Sequence, residues 1–126
     1  MREDLKLGID NMDKIHTEFF EMLETLKMMK GSVFLEGFAN LIVHTQEHFA
    51  QEEALMRENR FYGIQEHLDE HENLLGEMRY FYDKGKKILP FAENYINEYV
   101  FEKFCRHIMN IDSQFAMFLK TIPQQY

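Results

Sequence analysis

Apolar positions recur along this chain with a helical period, and turn residues divide them into four stripes. Met12, His16, Phe19, Phe20, Leu23 and Leu26 share one face of a helix starting near Asp13, where Asp10, Asn11 and Asp13 supply capping and first-turn charge. Gly31-Ser32 ends it, with Ser32 placed to cap the next helix. The second helix is predicted from about Phe34 to Asn59, with Phe38, Leu41, Thr45, His48, Phe49, Glu52, Leu55 and Met56 inward, and Gly63 marks the following turn. The third runs to about Lys84 with a stripe of Ile64, His67, Leu68, His71, Leu74, Leu75, Met78 and Phe81. Gly85 and Pro90 punctuate the next loop. The fourth helix is predicted from about Ala92 to Leu119 through Val100, Phe104, His107, Ile108, Ile111, Phe115 and Phe118, and Pro123 closes the chain. Residues 1 to about 11 read as an arm, because Leu5, Leu7 and Ile9 alternate and Gly8 breaks any helix. The expected fold is all-α, an antiparallel up-down-up-down four-helix bundle with an N-terminal arm, in one domain spanning 1–126.

The stripes carry polar side chains that an oily core does not tolerate alone. His16 lies on the first, His48 on the second, His67 and His71 on the third and His107 on the fourth. His44, His48 and Glu52 fall one turn apart on a single face. His67 and His71 are an i, i+4 pair, the spacing that lets two imidazoles chelate one ion from one helix. One inward histidine is usually a hydrogen-bonded core residue, but five, with a carboxylate among them, call for a bound metal. Asp112 is harder to place. It follows His107 by five residues, about 140° around an ideal α-helix. A π-type widening between the two would bring them into phase, whereas a regular ladder with Asp112 still at the metal would exclude it.

Composition narrows the setting. At 126 residues the chain can bury a core without disulfides, and twelve phenylalanines and nine methionines supply a bulky interior. A net charge of −8 argues against nucleic acid as a partner. Lys84-Gly85-Lys86-Lys87 reads as a helix C-terminus complementing the dipole. Cys105 stands alone, which precludes an internal disulfide, points to a reducing compartment and reads as a small buried side chain. Met1-Arg2-Glu3-Asp4 opens no apolar run of the signal-peptide kind, and no segment has the length of a membrane span. A cytoplasmic protein without a membrane partner is expected.

His16, His48-Phe49-Ala50-Gln51-Glu52-Glu53, His67-Leu68-Asp69-Glu70-His71 and His107-Ile108-Met109-Asn110-Ile111-Asp112 together resemble the ligand set of hemerythrins. The opening Gly8-Ile9-Asp10-Asn11-Met12-Asp13-Lys14-Ile15-His16 and the run Glu52-Glu53-Ala54-Leu55-Met56 resemble bacteriohemerythrins in particular. The resemblance implies two non-haem iron ions joined by an oxo or hydroxo bridge. One would take His67, His71 and His107, the other His16 and His48, with Glu52 and Asp112 bridging both. The ion with three imidazoles would then be coordinatively full, and the other would keep one position for dioxygen. Compared with ferritin-like sites, which are rich in carboxylate, five neutral histidines favour reversible oxygen binding over oxygen activation.

Four features depart from that pattern or lie outside it. His44 is a sixth histidine the resemblance does not require, read as a core residue bonded to backbone or solvent; the sharper reading is a hydrogen-bond donor near the pocket. Lys103-Phe104 stands where relatives often carry Trp-Leu, so Phe104 should tighten a pocket whose apolar shell is Phe19, Phe49, Phe104 and Ile108. Glu53 is expected to face outward. Tyr80, Tyr82, Tyr95 and Tyr99 are expected at the surface or the end of the core. The expected function is reversible dioxygen binding by a monomer that is not an enzyme, serving as carrier, store, sensor or supplier to an oxygen-consuming protein. With no output domain attached, self-contained signalling is not expected. The alternatives are a di-iron enzyme acting on peroxide, nitric oxide or oxygen, and, less well matched, metal storage or a structural zinc bundle.

Overall fold

The computed structural model describes residues 5–122; the opening Met1-Arg2-Glu3-Asp4 and the closing Pro123 lie outside it. Helix α1 spans Asp10–Lys27, α2 Gly31–Glu58 and α3 Ile64–Lys87. The fourth column of the bundle is segmented into α4 (Leu89–Glu98), α5 (Val100–His107), a π-helical turn (Ile108–Asp112) and α6 (Ser113–Thr121). Consecutive columns pack against each other across short connections, and α1 also meets α4, which closes an antiparallel bundle. The stripes explain the packing. Phe19, Phe20, Leu23, Leu26, Phe34, Phe38, Leu41, Phe49, Leu74 and Met78 meet Tyr95, Ile96, Val100 and Phe104 in one core. Met12, Met56, Phe61, Phe115 and Ala116 form a second cluster at the other end of the site. Among the described residues no helix is long and apolar enough to cross a membrane.

Several element ends differ from expectation. Helix α1 begins at Asp10, three residues early, because the Asp13 carboxylate accepts the Leu7 and Gly8 amides at 2.8 and 3.1 Å and ties the arm to the first turn. Ser32 is not a cap: α2 starts at Gly31, whose positive φ of 63° makes the turn from α1. Helix α2 ends in a Schellman motif, with Phe61 N–H bonded to Met56 O at 2.9 Å, Arg60 N–H to Arg57 O at 3.2 Å and Arg60 in the left-handed region. Gly85 lies within α3 rather than in a loop, and it is buried because α4 comes so close that a Cβ there would run into the Ala92 methyl. The last column starts at Leu89, with Pro90 in its first turn, where its missing N–H costs nothing. It leaves helical values only at Tyr99 before the π turn. Leu55 is 39% exposed, at the edge of the α2 stripe rather than within the core. Tyr95 is fully buried, stacked on Phe81 with centroids 4.4 Å apart, an end-of-core position. Cys105 is buried, as its plain reading had it.

Candidate metal centre

Each column contributes to one polar knot in the middle of the bundle. His16 comes from α1, His48 and Glu52 from α2, His67 and His71 from α3, His107 from the end of α5 and Asp112 from the π turn. All are buried except His48, which is nearly so. Their potential ligand atoms form two groups. Glu52, His67, His71, His107 and Asp112 place one ligand atom each within 4.8 Å of all the others, and so do His16, His48 and Glu52. Glu52 belongs to both. Asp112 reaches across as well, with Oδ1 at 3.0 and 3.1 Å from His67 and His107 Nε2 and Oδ2 at 2.9 Å from His16 Nε2. Glu52 Oε1 lies 2.5 Å from His67 Nε2 and 3.2 Å from His71 Nε2, and Oε2 lies 3.7 Å from His48 Nε2.

The π turn is what brings Asp112 here. Ser113 N–H bonds to Ile108 O, five residues back, and this wide turn adds the rotation that an α-helix would lack. The expected widening is therefore present, and Asp112 Oδ1 meets His107 Nε2 on one face. Side chains also serve carbonyls of this turn. Ser113 Oγ donates to Met109 O at 2.6 Å and Gln114 Nε2 to Asn110 O at 2.7 Å.

Short distances inside the knot are mostly not hydrogen bonds. Both ring nitrogens of His16, His48 and His107, His71 Nε2, both Glu52 oxygens and Asp112 Oδ2 are buried without a bond of acceptable angle. So many orphaned donors and acceptors, aimed at common points, would be very costly in a bare protein. Imidazole and carboxylate lone pairs converging on common points are what a metal ion requires, so the donor set fits one. Protonation of two imidazoles balances the carboxylates when no metal is bound. Burial alone would lower the His67 and His107 pKa values, yet the Asp112 and Glu52 carboxylates outweigh it and raise them to about 9 and about 10. His48, by contrast, is lowered to about 4, because burial outweighs the carboxylate charges near it. Burial resists ionisation of Asp112, but His107, His16 and His67 hold its carboxyl well below the usual range.

A second layer orients the rings, and here the expectation for Glu53 fails. Glu53 is half-buried on the flank of α2 that faces α3, and its Oε2 lies 2.8 Å from His71 Nδ1. The His71 ring also stacks on Phe49, with centroids 3.7 Å apart and planes 4° from parallel. Glu70 stands 3.6 Å from His107 Nδ1, and that ring draws its carboxyl below the usual range. Phe19, Phe49, Phe104 and Ile108 line a cavity of about 10 Å³ beside His16 and His48. His44 borders the same cavity. It belongs to neither ligand group, as expected, and its Nε2 is buried with no hydrogen-bond partner among the described residues.

Residues 7–119 match the family described as the Hemerythrin HHE cation binding domain. The chain belongs to the hemerythrin family. It is similar to a bacteriohemerythrin of Aquifex aeolicus (strain VF5), 35% identical over 86 residues covering 65% of this chain and 66% of the relative, just under two thirds of that protein. A bacteriohemerythrin of Stenotrophomonas maltophilia (strain R551-3) is 27% identical over 132 residues, covering 99% of this chain and 84% of the relative. No solved structure matches significantly. Within this hemerythrin domain the seven residues singled out from the sequence converge on one knot, while Glu53, Glu70 and the orienting role of Phe49 come from the packing of α2 and α3 and of the last column.

Proposed function

We propose that this chain binds dioxygen reversibly at two iron ions held by His16, His48, Glu52, His67, His71, His107 and Asp112. The observation that carries the reading is the unequal pair of ligand groups sharing Glu52. One group gathers three histidines and two carboxylates, and the other only two histidines with the shared carboxylate. Two iron ions, when bound, would supply the electrons for reversible capture of dioxygen, and the side with fewer protein ligands would leave room for it. The chain's own residues do the rest. His67, His71 and His107 would saturate one side, and Glu52 and Asp112 would tie both sides together. Phe19, Phe49, Phe104 and Ile108 keep the histidine-poor side dry, and the cavity there has about the volume of one water-sized body. Membership of a cation-binding family and likeness to proteins named bacteriohemerythrin support the same assignment.

The test is spectroscopic. Purified protein should hold two irons per chain, and the anaerobically reduced form should gain a visible charge-transfer band under oxygen that degassing removes. Irreversible bleaching, or steady turnover of peroxide or nitric oxide, would assign an enzyme instead. Absence of bound iron would defeat both readings.

A further inference from the structure

A groove of about 500 Å³ lies on the surface between α1 and α2. Glu18 and Glu21 stand on its rim and Met22, Leu26 and Met29 supply apolar walls, but none of the proposed ligands borders it. The inner cavity beside His16 and His48 is lined by a different set of residues, and His44 alone is common to both. His44 therefore borders both the open concavity and the smaller cavity at the histidine-poor side of the knot. Its ring is half-buried, and its Nε2 is buried without a hydrogen bond to hold that end in place. Its neighbour on the cavity wall is tethered by contrast: the Thr45 hydroxyl donates to Leu41 O at 2.8 Å.

We propose that His44 is a side-chain gate through which small neutral molecules pass from the α1–α2 groove to the inner cavity. The inference rests on the functional reading above only in treating that cavity as the place where the ligand arrives. A ring fixed by packing alone changes rotamer far faster than a helix moves, so entry needs no opening of the bundle. The acidic rim, on a chain of net charge −8, suits a neutral entrant over an anion. A competing route exists. A small opening of about 20 Å³ lined by Ile15, Gln51, Leu55 and Phe115 reaches His48 and Glu52 from the opposite side.

Xenon separates the two routes, because it occupies apolar cavities without metal chemistry. The full chain, loaded with zinc so that its spectrum is diamagnetic, is placed under xenon, and exchange is followed at the Ile108 methyl on the cavity wall. His44→Ala should speed exchange roughly tenfold and His44→Trp should slow it by a similar factor, a barrier change of about 1.4 kcal/mol each way. Leu55→Trp, at a partly exposed position on the competing route, should leave the rate unchanged. Rates within about twofold of wild type in both His44 variants, or slowing by Leu55→Trp alone, would overturn the gate. A protein that shows the expected xenon pattern but takes up no dioxygen when iron-loaded keeps the gate and loses the functional reading.

Discussion

Removing the Glu53 carboxylate should weaken metal binding without touching a proposed ligand. His71 is held at two points, with Nδ1 2.8 Å from Glu53 Oε2 and the ring face on Phe49, which leaves Nε2 aimed into the knot 3.2 Å from Glu52. The Glu53 contact fixes which nitrogen carries the proton and how the ring is oriented, and such outer partners are commonly worth 10- to 100-fold in affinity. Two facts place Glu53 at the low end of that range. Its side chain is 22% exposed, so water screens the charge, and the Phe49 stack keeps part of the ring's orientation after the carboxylate is gone. We expect Glu53→Ala to weaken iron(II) or zinc binding roughly tenfold, about 1.4 kcal/mol, and Glu53→Gln by less because its amide oxygen still accepts. Competitive titration against a chelator of known affinity measures this. Glu70→Ala is the internal comparison, because the carboxylate stands 3.6 Å from His107 Nδ1, beyond a hydrogen bond, and is 34% exposed. Wild-type affinity in Glu53→Ala, or a larger loss in Glu70→Ala, would refute the reasoning.

Gly85→Ala should destabilise the fold: overpacking against Ala92 costs about 1–3 kcal/mol, more than the gain of up to about 1 kcal/mol in helix propensity. A denaturant midpoint that rises instead, or that Ala92→Gly fails to restore, contradicts this. Metal loading at pH 7.5 should release about two protons per chain, since His67 and His107 titrate at about 9 and about 10 without metal and must bind it neutral. Release should fade as pH rises past those values, and calorimetry in buffers of different ionisation enthalpy that finds none would exclude the protonated apo knot. Phe104→Leu should speed dioxygen dissociation from the iron-loaded protein roughly tenfold, because Phe104 walls the cavity and stacks on Phe19 at 4.1 Å; an unchanged rate sinks the link. Deleting Asn110 should turn the π turn into an ordinary helix and leave His107 and Asp112 four residues apart on one face, so metal binding should survive. Loss of binding, with circular dichroism still helical, would mean that the wide turn's own geometry is required.

What was readable from the chain divides along a physical line. Positions set by one helix's own period came through: the inward faces of α1 and α3, and the histidines on them, need only 3.6-residue spacing to be assigned. Features set by how two helices approach did not. Glu53 is about 100° around the helix from Glu52, so α2 alone places it off the inward stripe; only the closeness of α3 on that flank turns it toward His71. Gly85 carries the usual signal of a helix stop, and its actual cause, the Ala92 methyl, is seven residues away across a turn. Leu55 has the right spacing for the core but sits where the α2 stripe drifts past the edge of the bundle, at 39% exposure.

The π turn lies between these cases. If His107 and Asp112 are to face one ion, their spacing of five calls for extra rotation between them, so the sequence raised the wide turn as a hypothesis and the structure has it. Its accommodation was not legible in the chain. Ser113 and Gln114 add side-chain hydrogen bonds to the Met109 and Asn110 carbonyls of the wide turn. Neither residue touches the knot, yet both help hold the backbone that delivers Asp112 to three histidines at once. The stretch that shapes the proposed metal site thus runs past its last proposed ligand, Asp112, to Ser113 and Gln114.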